Sequence, residues 1–245
     1  MRIISLNVGL PRDVVWHGTT VTTGIFKQPV EGLVTARKLN LDGDRQADLS
    51  VHGGEYKAVY VYPFEHYDYW KKKLPGRDLP VGIFGENLTT EGLLETEVQI
   101  GDVFAAGKPR DPGSAGSAGS PGEPRSDAKG ILAGTAEFTV TQPRLPCYKL
   151  GVRFEADDMV KKFLASRRTG FYFAVRKEGR VAAGDEIKLL SREPNSISIA
   201  EFVELYVTKH WTADDVTSIR RLFDLASVPN DWKAYFDHRL QASSA

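Results

Sequence analysis

Short apolar runs separated by glycine-rich turns dominate the first three quarters of the chain. Runs rich in β-branched and aromatic residues, bounded by glycine or proline, predict strands. These lie within residues 2–8, 30–41, 58–62, 97–105, 136–142, 171–176 and 186–190. Only two stretches in this part, 64–74 and 156–166, have the spacing of a helix. Many short strands with few helices are typical of a mainly β barrel or sandwich.

The pattern changes after Arg192, where apolar residues recur at helical spacing. Three short amphipathic helices are predicted, the second capped by Thr212 and the third by Asn230. Such helices cannot bury their apolar faces singly, so we expect a small bundle. The predicted organisation is a mainly β domain over residues 1–192, followed by a three-helix appendage over residues 193–245.

Residues 108–134 differ from both parts, because glycine, serine, alanine and proline replace most apolar positions. The segment is far longer than the usual connection of about 4–6 residues. Its composition predicts a flexible, low-complexity loop between two strands. Such a loop is either a mobile lid or docking arm, or an insertion that the fold tolerates because closing a longer loop costs little.

The charge balance excludes several function classes. The chain has 245 residues, with 32 basic and 32 acidic side chains and a formal net charge of zero. This argues against a broad surface for nucleic acid or membrane. No segment approaches the ~20 apolar residues of a membrane span, and no apolar signal region opens the chain. We therefore expect a soluble, cytoplasmic protein that binds neither nucleic acid nor membrane.

The single cysteine, Cys147, lies in a segment stiffened by prolines and flanked by Arg144 and Lys149, whose positive charges favour the thiolate. One thiol can form neither an intrachain disulfide nor a four-thiolate zinc or iron–sulfur site. From the residues alone two interpretations stay open. Cys147 is either a buried small apolar side chain, or a metal ligand or nucleophile.

A second segment with candidate chemistry is His52-Gly53-Gly54, followed by Lys57. Adjacent glycines let the backbone approach an anion and can turn their N–H groups inward, with His52 and Lys57 as further donors. The alternative is a glycine turn beside a core histidine. A third segment places the polar Asn87 inside an apolar stretch.

Taken together, the motifs resemble those of one family. In chain order they are 48–54, 62–67 with Trp70, 84–88, 101–102, 142–144, 146–150, 169–172 and 184–185. The set is similar to the MOSC domain proteins, named for the C-terminal domain of molybdenum cofactor sulfurase, and among them to the bacterial YiiM group. The resemblance covers residues 1–192, and the tail is similar to the small helical domain of that group.

The resemblance implies a MOSC-type β-barrel that binds the molybdenum cofactor, a pterin carrying a dithiolene and a phosphate. It places the metal-ligating, catalytic cysteine at Cys147, whose soft thiolate suits a thiophilic metal. Six further residues would hold the cofactor or shape its pocket by charge-assisted hydrogen bonds. They are His52, Gly53, Gly54, Lys57, Arg144 and Lys149. Asn87 is a candidate for orienting the substrate, and the tail is not expected to line the pocket.

The implied activity is reduction of N-hydroxylated substrates, such as N-hydroxylated purines. Because the chain has no flavin, haem or iron–sulfur motif, the electrons must come from a separate flavoprotein or ferredoxin-type protein. One alternative is a non-catalytic carrier of the molybdenum cofactor or of sulfur. Another is an interaction module in which the tail docks a partner. A homodimer is also left open.

Overall fold

The computed structural model describes residues 1–49, 53–107 and 135–243. The predicted loop 108–134 and the predicted site residue His52 lie outside these ranges. In chain order the strands are β1 (Arg2–Val8), β2 (Arg12–Trp16), β3 (Thr19–Thr23), β4 (Gln28–Pro29), β5 (Val34–Ala36), β6 (Val59–Pro63), β7 (Leu88–Glu91), β8 (Val103–Ala106), β9 (Ala136–Pro143), β10 (Phe171–Lys177), β11 (Gly179–Val181) and β12 (Ile187–Ser191). The helices are α1 (Glu65–Lys73), α2 (Tyr148–Phe154), α3 (Met159–Ser166), α4 (Ile199–Val207), α5 (Ala213–Asp224) and α6 (Asn230–Ser243).

One sheet organises the described residues. Its strand order is β12-β8-β9-β10-β6-β7-β1-β4. Neighbours are antiparallel except β6 and β7, which run parallel. The β9–β10 pair extends from Phe171 opposite Pro143 to Lys177 opposite Glu137. Strand β9 of this sheet therefore ends directly before the segment that contains the single cysteine.

The predicted barrel is supported where residues 1–3 meet residues 184–187. Arg2 forms a bridge with Glu186, and the Ile187 N–H donates to the Met1 carbonyl at 2.9 Å. These contacts bring the start of β1 next to β12, but in the described ranges no ladder of several residues joins them. A sheet-dominated fold with several helices is thus confirmed, whereas a closed barrel stays a prediction.

The core consists of two apolar clusters. The first joins sheet residues such as Phe138 and Phe173 to the tail residues Phe202, Leu222 and Phe236. The second is rich in aromatic rings and includes residues from β6 and from α1, α2 and α3. All three tail helices thus contribute buried residues to the cluster that they share with the sheet. The domain boundary at residue 192 stays a prediction.

The helical tail follows the caps read from the sequence. The Thr212 side chain accepts the Asp215 N–H at 3.2 Å, and the Asp215 carboxylate accepts the Thr212 N–H at 2.8 Å. This capping box satisfies two backbone donors that the first turn of a helix leaves exposed. Helix α6 includes Asn230 as its first residue, so the start of this helix lies where the sequence predicted it, while the cap by Asn230 stays a prediction. Among the described helices, none is long and apolar enough to cross a membrane.

Three local predictions were wrong. Helix α2 was not expected, although it begins directly after Cys147. The hairpin β2–β3 was also missed, and its turn contains His17 and Gly18, both with positive φ. The region 97–105 was predicted as a strand around a bend at 100–102; the bend is present, since Asp102 accepts the Gln99 N–H at 3.0 Å, but the strand covers only Val103–Ala106.

Candidate functional site

A cleft that is open to solvent lies beside the cysteine. Six separate segments contribute to its lining: 23–27, 44–47, 57–60, 85–87, 144–149 and residue 172. Strands β6, β9 and β10 are neighbours in the sheet, so they bring three of these segments together. The cleft is therefore assembled by the sheet from residues far apart in sequence.

Five of the residues singled out in the sequence line this cleft. They are Lys57, Asn87, Arg144, Cys147 and Lys149. The two glycines do not line it, although the Gly54 carbonyl accepts the Lys57 N–H at 3.1 Å. Gly54 has φ +92°, a conformation that glycine adopts readily and other residues do not. The two glycines thus lie at the start of the turn that presents Lys57, and their role toward an anion stays a prediction.

Cys147 is half-buried and directly precedes helix α2. Its backbone is extended, and its carbonyl accepts the Leu150 N–H at 2.9 Å, which starts the helix. Pro143 ends β9 and Pro146 restricts the backbone just before the cysteine. Sheet and helix therefore hold the thiol at the cleft from both sides.

Arg144 is the most unusual cleft residue, because it is only 6% exposed. Its guanidinium lies 5.3 Å from the ring centre of Tyr60 and 5.2 Å from that of Phe163. Within the described residues, its Nη1 has no hydrogen-bond partner. An arginine stays charged at any physiological pH, and a buried donor without an acceptor is costly. The Nη1 atom is thus a donor suited to an anionic ligand.

Two tyrosines complete this side of the cleft. Burial raises the pKa of Tyr60 well above its ordinary value, and it raises the pKa of Tyr172 as well. Both hydroxyls therefore keep their protons at neutral pH. The Tyr60 hydroxyl donates its proton to the Thr169 carbonyl at 2.9 Å, so this hydrogen bond is made within the protein.

The cleft lining also contains a buried ion pair between Lys27 and Asp44. Burial lowers the pKa of Lys27, and the charge and hydrogen bond of Asp44 oppose that shift. Asp44 also accepts the Gly9 N–H at 2.9 Å and the Asn87 side-chain N–H at 2.9 Å. The two segments can approach this closely because Gly24 has no side chain. A Cβ at this position would lie only 2.4 Å from the Arg45 carbonyl oxygen. No sequence motif links Lys27 with Asp44, which are 17 residues apart.

Asn87 uses both atoms of its amide within the protein. Its oxygen accepts the Tyr60 N–H at 3.0 Å, and its nitrogen donates to Asp44 and, at 3.3 Å, to the Asn7 carbonyl. These bonds tie β6 to β1 beside the cleft. They give Asn87 a structural role, and its orientation of a substrate stays a prediction.

Lys57 ends the short 3₁₀ turn Glu55–Lys57 and is half-buried. Burial lowers the pKa of Lys57, and the charge of Asp231 in the tail opposes that shift.

The cleft as a whole is positively charged, although the chain has no net charge. Its lining contains five cationic side chains, Lys27, Arg45, Lys57, Arg144 and Lys149, and one acidic side chain, Asp44. A concave surface with one sign of charge concentrates ligands of the opposite sign. In the described part of the chain no three His, Cys, Asp or Glu side chains converge on a metal-sized site. A metal held here by Cys147 would need most of its ligands from another molecule.

Comparison with known proteins decides the family. The MOSC domain model matches residues 48–188, which span the cysteine and most of the cleft. The chain belongs to the MOSC domain family. Within the family, the chain is 38% identical over 234 residues to the uncharacterized protein YflK of Bacillus subtilis, covering 96% of this chain and 92% of YflK.

Further relatives of this MOSC protein have informative names. A protein of Gibberella moniliformis named reductase is 32% identical over 177 residues, which cover 71% of this chain and 27% of that protein. The crystal structure of YiiM from Geobacillus stearothermophilus has a TM-score of 0.72 and 30% identity, and the match covers 98% of each chain. The similarity to a YiiM structure thus extends through the helical tail.

Proposed function

We propose that this MOSC protein binds the molybdenum cofactor in the cleft and reduces N-hydroxylated substrates, with the proposed MOSC-type barrel as its scaffold. The observation that carries the proposal is that the single thiol lines an electropositive cleft together with Arg144, whose buried Nη1 has no partner in the described residues. The family and the fungal relative named reductase support the same reading.

The residues of the cleft suit this cofactor in two respects. Its phosphate is anionic, and the cleft offers several cations as well as the Arg144 donor. Its dithiolene supplies soft sulfur ligands, so one protein thiolate completes a sulfur-rich set around a thiophilic metal. Cys147 would hold the metal, while Arg144, Lys57 and Lys149 would hold anionic groups. When bound, the cofactor would supply a metal centre able to change its oxidation state.

The reaction sets the demands on this chain and its partner. Reduction of an N–OH group to N–H takes up two electrons and two protons and releases water. A separate flavoprotein or ferredoxin-type protein would supply the electrons. The cationic side chains beside Cys147 and the apolar cleft wall would bind and orient the substrate. A cytoplasmic location and a homodimer stay predictions.

The test is turnover by protein made in a host that synthesises the cofactor. We expect reduction of an N-hydroxylated purine with an artificial electron donor, and loss of that activity in Arg144→Met. Tyr148→Phe is the matched control, because Tyr148 follows Cys147 but is 57% exposed. Molybdenum-loaded protein without turnover on any N-hydroxylated compound would contradict the reductase and favour a cofactor carrier. Protein without molybdenum would contradict both.

A further inference from the structure

The tail reaches the cleft indirectly, through the first turn of α6. No described residue after Tyr172 lines the cleft. Yet the indole N–H of Trp232 donates to the side-chain oxygen of Gln142 at 2.7 Å. Gln142 is buried on β9, two residues before Arg144 and directly opposite Tyr172 on β10. The tail thus bonds to the strand that leads to the cysteine.

The same contact region fixes the turn that carries Lys57. The Tyr56 carbonyl accepts the Thr141 hydroxyl at 2.7 Å and the Gln142 side-chain N–H at 3.4 Å. From the other side, the Tyr56 hydroxyl donates to the Ala226 carbonyl at 3.4 Å. The turn is therefore clamped between β9 and the segment that precedes α6.

Trp232 is itself held by aromatic neighbours within the tail. Its ring centre lies 5.0 Å from that of Phe202 and 5.7 Å from that of Tyr206, both edge-on. Phe202 is fully buried in the cluster shared with the sheet. The indole is thus a rigid link, whose donor can reach Gln142 with little loss of side-chain freedom.

Charge adds a second link at the same place. Asp231 precedes Trp232 and exerts an attractive charge interaction on Lys57. Lys57 belongs to the cleft lining, while Asp231 lies outside it on the tail. The charge of Asp231 thus supports the contact between tail and turn, which the Trp232–Gln142, Gln142–Tyr56 and Tyr56–Ala226 hydrogen bonds provide.

We propose that Trp232 is a positioning residue, whose bond to Gln142 helps to hold the turn of Lys57 in place, so that the ammonium keeps its position in the cleft lining that it shares with Cys147. The tail is then part of the support of the site, although it lines none of the described cleft. This inference rests on the proposed function only in taking the cleft as the working site. Its test needs no cofactor, so its failure and the failure of cofactor binding can be told apart.

The probe is alkylation of Cys147, the only cysteine of the chain, by anionic iodoacetate and by neutral iodoacetamide. In both reactions the thiolate sulfur bonds to the CH₂ carbon and iodide leaves. We take the ratio of the iodoacetate rate constant to the iodoacetamide rate constant. This ratio reports the local charge, because thiol exposure and thiolate fraction affect both reagents alike. The full chain is used, made in a host that lacks the cofactor.

Lys57→Met is the reference variant, because it removes the charge itself. It should lower the ratio roughly threefold, as expected for one unit charge several Å away in a water-screened cleft. Trp232→Phe keeps an aromatic ring at this position but removes the N–H donor, and it should lower the ratio by less than Lys57→Met does. Gln142→Met removes the same bond from its other side and also the bond from Gln142 to the Tyr56 carbonyl, so it should lower the ratio at least as much as Trp232→Phe.

Trp211→Phe is the matched control, since the Trp211 indole N–H donates at 3.0 Å to the Leu205 carbonyl inside the tail. Its ratio should equal that of the wild type. The proposal is overturned if Trp232→Phe and Gln142→Met keep the wild-type ratio while Lys57→Met lowers it. It is also overturned if Trp211→Phe lowers the ratio equally, or if Lys57→Met leaves it unchanged.

Discussion

In one part of the cleft lining Lys27 and Asp44 form a buried ion pair, and Asp44 also accepts the Asn87 side-chain N–H. In another part the buried Arg144 has a nitrogen without a hydrogen-bond partner in the described residues, and Lys149 adds a second cation near Cys147. We call the first group, Lys27, Asp44 and Asn87, the balanced wall. The second group, Arg144, Cys147 and Lys149, is the open wall.

The contrast separates residues that stabilise the fold from residues that are available to bind a ligand. A buried charge is tolerated when a partner and further hydrogen bonds compensate its desolvation, as on the balanced wall. A buried cation with an unsatisfied donor destabilises the folded protein. A bound ligand that supplies an acceptor for this donor removes that cost. Substitutions on the balanced wall should therefore reduce stability, whereas those on the open wall should reduce binding.

The largest expected effect is on the balanced wall. Asp44→Asn should lower the free energy of unfolding by about 3–5 kcal/mol, because it leaves Lys27 buried without a counter-charge. Asp42→Asn, two residues away, breaks an exposed pair with Arg37 and should cost less than ~1 kcal/mol. Urea denaturation measures both. Similar losses for the two variants would show that the buried pair has no special role.

Glu86, next to the balanced wall, should give the second-largest effect. Its buried carboxylate accepts hydrogen bonds from the Tyr67 hydroxyl, the Thr89 hydroxyl and two backbone N–H groups. Glu86→Gln turns one acceptor into a donor and should cost about 1–3 kcal/mol in urea denaturation. Glu91→Gln, on an exposed pair with Arg2, is the control and should be close to neutral.

The pH dependence gives Glu86 a second signature. Burial raises the pKa of Glu86 above its ordinary value of 4.5, so the folded chain keeps this proton at pH values where the unfolded chain has released it. The contribution of Glu86 to the free energy of unfolding should therefore fall as pH rises above 4.5, then level off once the folded carboxyl has also ionised. Glu86→Gln should lack this component. A parallel pH profile in both proteins would contradict the assignment.

The smallest expected effect on stability is on the open wall. Arg144→Met removes a buried charge without leaving an acid unpaired, so the free energy of unfolding should change by about 1 kcal/mol or less. Retention of the cofactor should nevertheless fall. A loss of stability as large as that of Asp44→Asn would mean that Arg144 supports the fold in the same way as the balanced wall.

The parts of the fold that local signals govern were predictable. Strands β1, β6 and β9 follow their β-rich runs, and the Thr212 cap starts α5 because its side chain and Asp215 satisfy each other's backbone donors. The β2–β3 hairpin carried a signal as well. The His17-Gly18 pair resembles the short turns with positive φ that join hairpin strands.

The arrangement of the cleft was only half predictable. Cys147, Arg144 and Lys149 lie within a few residues of one another, so a short motif was enough to group them. The pairing of Lys27 with Asp44 depends on the close approach of two segments at Gly24, which only the tertiary structure shows. The link from Trp232 to Gln142 spans 90 residues and depends on how the tail packs against β9. Sequence patterns report local geometry, and these contacts are not local.

The most direct measurement is the molybdenum content of the purified protein, made in a host that synthesises the cofactor and determined by mass spectrometry. The wild type and the exposed control Tyr148→Phe should carry molybdenum close to stoichiometric amounts. Cys147→Ser should be folded and stable but nearly free of the metal, because the hydroxyl is a poor ligand for a thiophilic centre. Full molybdenum occupancy in Cys147→Ser, or none in the wild type, would contradict the assignment of Cys147 as the metal ligand.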